Sequence, residues 1–204
     1  MNNKNLTIIN IALALVAILL VYLVYKSISE PVVFENTRKE RELEVVQRLK
    51  DIRTTQTIFK QTYNRYTGSF DSLIDFVKVG MLPVVNIKPD PNDTTFTKTI
   101  NDTVDYIPVV DSLFRGRENF KVEDLRYVPF SENEKVPFEL QAGFITRGGL
   151  KVAVFEAKTS FWVYLWDLDH QRVNNLRAEM EDLEKYPGLK VGSMDEPSLN
   201  GNWE

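Results

Sequence analysis

The sequence has no cysteine and a single histidine, His170. The first absence excludes disulfides, thiolate chemistry and zinc or iron–sulfur sites built from cysteine. The second excludes a metal centre made of several histidines from one chain. Also missing are a Gly-x-Ser-x-Gly elbow, a Gly-x-x-x-x-Gly-Lys-Ser/Thr loop and a Gly-x-Gly-x-x-Gly turn, the commonest sequence marks of hydrolases, NTPases and dinucleotide enzymes. There is no basic block: 25 Lys and Arg stand against 29 Asp and Glu, a net charge of −4. Nucleic acid is therefore not an expected partner. His170 lies beside Asp167 and Asp169, but an Asp–His pair needs a nucleophile, and the sequence does not place Ser112 or Ser160 next to it. Asp90, Asn92, Asp93, Asp102 and Asp105 have calcium-type oxygens without the EF-hand spacing, so they read first as solvated turn residues. No catalytic, cofactor-binding or metal-binding residue is assigned, and the protein is expected not to be an enzyme.

What the chain does have is one long apolar run. Leu6–Tyr25 contains 20 residues and no charge lies between Lys4 and Lys26. As a helix it would be about 30 Å long, one hydrocarbon core. Asn10 is its one strongly polar interruption, and Tyr22 and Tyr25 suit an interface. The alternative is a cleaved signal peptide with Ser27 and Ser29 near the cleavage point; the length of the run favours an uncleaved anchor. Lys4 argues for one orientation, while Lys26, Arg38, Lys39 and Arg41 argue for the other. Charge leaves the topology open.

Beyond the run, the expected organisation is an anchor over residues 1–30, a linker or kink over 31–36 and one globular domain over 37–204. Pro31 disfavours helix at Glu30, and Thr37-Arg38-Lys39-Glu40 has capping-box spacing. A second helix then shows a stripe of Val45, Leu49, Ile52, Gln56, Phe59, Tyr63 and Tyr66 at gaps of four and three. Packing inside its own domain is the ordinary use of such a stripe, and a coiled coil with another chain is the alternative. Gly68 marks its end. Ser69 is placed to cap a short helix over Phe70–Val77 that buries Phe70, Leu73, Ile74 and Val77, with Gly80 as its stop.

Residues 88–102 read as an exposed loop with a short strand at 95–100, and 104–110 as extended chain. Asp111–Phe114 suits one helical turn, and Leu125–Phe130 suits a short strand. The strongest strand signal surrounds Gly148-Gly149, a two-residue hairpin turn. Pairing Arg147 with Leu150 places Ile145 opposite Val152, Gln141 opposite Glu156 and Glu139 opposite Lys158. One face then carries Phe138, Leu140, Ala142, Phe144, Ala153, Phe155 and Ala157. Phe161–Trp166 alternates as a further strand, with Trp162, Tyr164 and Trp166 on one side. That aromatic ladder is either buried or a contact surface for a partner or glycan. Gln171–Glu184 forms a polar helix with a modest stripe, Leu189–Met194 a last strand, and Trp203 docks on the domain or on a partner. The fold class is α+β: a transmembrane helix, a long amphipathic helix packed on an antiparallel sheet, and an additional C-terminal helix.

The order of these elements, with Ile52-Arg53-Thr54-Thr55-Gln56 running through Tyr63-Asn64-Arg65-Tyr66, resembles type IV pilins and the pseudopilins of type II secretion systems. The resemblance covers the pattern of residues 6–80. A basic leader with its cleavage point and an early glutamate are not present; the first Glu is Glu30. It implies a single-pass component of the cytoplasmic membrane with an extracytoplasmic, periplasmic domain. The expected partners are the lipid bilayer and an envelope membrane-protein assembly or a homo-oligomer. Val45, Leu49, Ile52, Phe59, Trp162, Tyr164 and Trp166 are the candidate interaction residues. The alternative function is a membrane-tethered domain that binds an envelope glycan or another ligand.

Overall fold

The computed structural model describes residues 3–89, 99–117 and 120–204. The chain divides into two compact units, Met1–Leu43 and Glu44–Glu204. The fold is α+β, with a long N-terminal apolar helix, two small antiparallel sheets and further helices.

Helix α1 runs unbroken from Asn3 to Tyr63. Residues 31–36, expected as a linker or a kink, are helical with Pro31 inside α1, so the chain has no non-helical linker there and no fresh helix start at Thr37. An internal proline costs roughly 3 kcal/mol. Charge pairs at helical spacing in the flanking turns, worth roughly 0.2–0.5 kcal/mol each, return part of that cost: Lys26–Glu30 at 3.3 Å, Glu35–Arg38 at 2.6 Å, Glu35–Lys39 at 3.6 Å and Arg38–Glu42 at 3.7 Å. The helix stops earlier than Gly68. Asn64 takes a left-handed φ of 55°, a conformation Asn tolerates better than most residues, and its N–H donates to Lys60 O at 2.8 Å.

In the second unit, α1 buries Val45, Leu49, Ile52, Thr55, Gln56 and Phe59. Gln56 satisfies its amide against the chain that leaves the helix: Nε2 donates to Thr67 O at 2.6 Å and Oε1 accepts from Thr67 N–H at 3.1 Å. A polar residue in an apolar stripe is thereby paired rather than stranded. Helix α2 spans Phe70–Val79, starts at the Ser69 cap and buries Phe70, Leu73, Ile74, Phe76 and Val77. Phe59 meets Phe76 edge-on at 5.2 Å, which joins the two helices.

The first sheet is a hairpin of β1 (Met81–Pro89) and β2 (Thr99–Pro108), with a register shift between Val84 and Val85. The loop expected over 88–102 is therefore strand at both ends, and residues 90–98 lie outside the described residues. Helix α3 follows over Val109–Phe114. The strand expected at Leu125–Phe130 is replaced by a 3₁₀ turn over Val122–Leu125 and one bridge, Tyr127 to Pro137. Pro129 lacks a donor, and Phe130 has a φ of 60°, so the segment cannot continue a ladder.

The second sheet has the order β3 (Glu139–Arg147), β4 (Leu150–Ser160), β5 (Gly188–Gly192). Its hairpin has the expected register at every position, from Arg147 opposite Leu150 to Glu139 opposite Lys158. Phe138, Ala153, Phe155 and Ala157 are buried as expected; Phe144 is 49% exposed, near the hairpin tip, with Lys151 Nζ 4.6 Å from its ring centre. Phe161–Tyr164 is one helical turn, α4, and not a strand. Helix α5 spans His170–Asp182, capped by Asp169, whose carboxylate accepts from Arg172 N–H.

Candidate functional site

The feature of the first unit with evident chemical character is the surface of α1. Its apolar residues from Ile11 to Tyr25 are exposed. The helix is long and apolar enough to cross a membrane by length and composition. An 18-residue window of this kind, unburied by its own chain, is what a bilayer accepts: every backbone group is bonded within the helix, and the side chains need no polar solvent.

The seven residues expected to mediate contacts divide when placed in the structure. Val45, Leu49, Ile52 and Phe59 lie in the core of the second unit. Tyr164 is fully buried too, because the helical turn of α4 swings it inward beside Phe161, ring centres 6.1 Å apart. Those five are buried within the domain's own core. Trp162 is half-buried and meets the His170 ring edge-on at 5.3 Å. Trp166 is 43% exposed, and its indole N–H donates to Phe130 O at 3.1 Å. The expected ladder of three aromatics on one strand face does not exist. What remains at the surface is a Trp162–His170 pair and the neighbouring Trp166, whose carbonyl lies 3.2 Å from His170 Nε2.

A polar pocket of about 210 Å³ was not anticipated from sequence. It is lined by Glu44, Arg48, Asp124, Tyr127, Val128, Pro129 and Phe130. Arg48 leaves the charged side of α1, hydrogen-bonds Asp124 O, and stands 5.7 Å from the Phe120 ring centre. Burial pushes its guanidinium pKa down, while Asp124, Asp51 and Glu44 pull it back up. One turn along α1, the Asp51 carboxylate is buried, accepts from Gln47 at 3.0 Å and pairs with Arg117 at 2.6 Å. These bonds tie α1 to the chain around residues 114–124, where Phe114 and Phe120 stack at 4.0 Å. The spacing of Glu44, Arg48 and Asp51 at helical intervals hinted at a cluster. Nothing local marked Arg117, Phe120 or Asp124 as its partners.

A second cluster crosses the sheet. Lys158 on β4 lies 3.0 Å from Glu156 and 3.8 Å from Glu139 on β3, and Lys190 on β5 lies 3.6 Å from Glu156. Tyr186 sits beside it, with Lys158 Nζ 5.6 Å from its ring centre. Burial, then the charges of Glu139 and Glu156, push the Tyr186 phenol up to about 12. These groups neutralise one another across three strands.

Among the described residues, no group of three or more acidic or histidine side chains is arranged to hold a metal ion. Asp90, Asn92 and Asp93 lie outside the described residues, and Asp105 is used locally, its carboxylate accepting from Tyr106 N–H at 2.8 Å. Trp203 is half-buried, its ring lying against Gly201. No protein-family model, curated protein or solved structure matches the chain.

Proposed function

We propose that the protein is a non-enzymatic, single-pass component of an envelope membrane assembly, similar in plan to a pilin or pseudopilin. In this reading α1 crosses the cytoplasmic membrane and the second unit lies on the periplasmic side. One observation carries the reading: a single helix has an exposed apolar N-terminal part and, farther along, a face that forms the core of an α+β unit. Such a helix gives an assembly both a membrane hold and a scaffold for a soluble domain, and in a bilayer its lateral contacts come from packing against other helices.

Affinity capture of the tagged chain from detergent-solubilised membranes tests the reading. Recovery of a stoichiometric set of membrane proteins, or of a homo-oligomer, is the expected result. Recovery of the chain alone, retained instead by cell-wall polymer, would favour a tethered glycan-binding domain and overturn the assembly role.

A further inference from the structure

The chain after β5 divides into a hinge, residues 193–198, and a clip, residues 199–204. The hinge is held mostly by its own short-range bonds. Asp195 and Glu196 N–H donate to Ser193 Oγ at 3.1 and 3.3 Å, and Ser198 N–H donates to Glu196 O at 2.7 Å. Its ties to the sheet are an exposed Arg147–Glu196 pair at 3.5 Å and the Met194 methyl group beside Gly143. A cavity of about 110 Å³ separates Pro197, Ser198 and Leu199 from Val152–Val154 of β4. Among the described residues, no strand pairs with this part of β4 on that side, since β5 pairs with residues 156–160.

The clip is held quite differently. Gly201 bridges Val191, Asn202 N–H donates to Lys190 O at 3.0 Å, and Gly192 N–H donates to Asn200 O at 3.1 Å. The Asn202 side chain extends this short ladder toward the start of β5. Its Oδ1 accepts from Lys190 N–H at 3.0 Å and its Nδ2 donates to Gly188 O at 2.8 Å. Arg53 of α1 holds the end, bonding Leu199 O at 3.2 Å and Glu204 at 2.7 Å. The packing is incomplete: Trp203 Nε1 is buried with no protein partner.

We propose that the clip is an exchangeable strand, and that its second seat is β5 and Arg53 of another copy of this chain. The occupant is specified by the seat. A segment that carries an amide at the position of Asn202 meets Lys190 and Gly188 together while Glu204 reaches Arg53, and every copy of this chain supplies such a segment. Apart from its own Gly201–Glu204 bonds and one tie to the hinge, Asn200 N–H to Ser198 Oγ at 3.2 Å, the clip's bonds run to β5 or Arg53, and none of those requires that the hinge connect it to the same molecule. Exchange therefore keeps the clip's contacts and gives up only the hinge's local bonds and the freedom lost on association. Reciprocal exchange closes a dimer, and one-way exchange links copies in a row. The inference needs no bilayer, so its failure would leave the anchor reading standing.

The absence of cysteine makes a direct test available. Lys190→Cys in one full-length chain and Asn202→Cys in a second, carrying different tags, place thiols opposite each other across the clip–β5 bridge, within disulfide reach. The chains are mixed in detergent, incubated and oxidised. The expected product is a covalent dimer with both tags, well above the yield of a Gln141→Cys and Glu156→Cys control pair, which face each other across β3 and β4. No mixed dimer, from substitutions that do close a disulfide when combined in one chain, would overturn the proposal. Failure of that combined chain to close would also overturn it, because the clip would not be on β5. A second pair avoids altering Asn202: Arg53→Glu and Glu204→Arg chains each lose their ion pair and regain it only across copies. Mixing them is expected to give a hetero-dimer that neither forms alone; its absence counts against exchange.

Discussion

At the scale of single residues, burial and pairing decide which side chains matter. Phe59 is 6% exposed and touches Phe76 and Tyr63. Phe59→Asp removes those contacts and buries a charge, so a loss of about 3–5 kcal/mol is expected. Thermal unfolding should show a much lower Tm, and an unchanged Tm would remove Phe59 from the core. The Asp51–Arg117 pair makes an asymmetric case. The carboxylate is buried while the guanidinium is partly exposed. Arg117→Ala leaves a buried charge without its cation, at a cost of about 3 kcal/mol. Asp51→Asn leaves an arginine that water reaches, and it is expected to cost about 1 kcal/mol. Chemical denaturation that ranks the two the other way would contradict the pairing. Tyr186 gives a pH signature. Its folded pKa of about 12 exceeds the ordinary tyrosine value, so between the two the unfolded chain loses the proton first. Its contribution to stability is therefore complete below the ordinary value and is lost as pH rises toward about 12. Tyr186→Phe should flatten that alkaline decline, and an unaltered decline would exclude the phenol as its source.

At the scale of elements, the sequence was most legible where several local signals agreed. Turn type, side-chain alternation and charge pairing all selected one register for β3 and β4, and that register is present throughout. The Ser69 cap and the stripe of α2 were readable for the same reason. Phe161–Trp166 misled because alternation over so short a run fits a strand or a helical turn, and position decides. In the structure β4 ends at Ser160, where Phe161 N–H still bonds Pro187 O, and the chain then turns. Pro31 suggested a linker or a kink, and of these the linker is absent because α1 stays helical through it. The candidate site was less legible than the fold. Arg48, Asp51, Arg117 and Asp124 come from segments far apart in sequence, and their pairing depends on tertiary packing. The end of β5 supplies an element-level test. Gly192 has a φ of 76°, and a Cβ there would collide with Phe155 O. Gly192→Ala is expected to cost more than about 1 kcal/mol, from strain and lost close approach together, and to speed amide exchange at Val191. Wild-type stability and exchange would show that this turn can move aside.

At the scale of the whole molecule, the two units carry separate hydrophobic inventories. That of the first is exposed from Ile11 to Tyr25; that of the second is enclosed, from Val45 through Phe155 to Val191. Removing residues 1–30 should therefore leave a soluble chain with one cooperative unfolding transition, whereas aggregation without a transition would mean that the enclosed core depends on the missing segment. The central claim is that α1 holds the intact protein in a bilayer. The most direct measurement is high-salt and alkaline washing of membranes from cells that make the chain, followed by intact-mass analysis of what stays in the pellet. Retention in the pellet at the full mass, with release only by detergent, is the expected result. A full-length chain in the wash, or a retained or secreted product that begins beyond Tyr25, would contradict it.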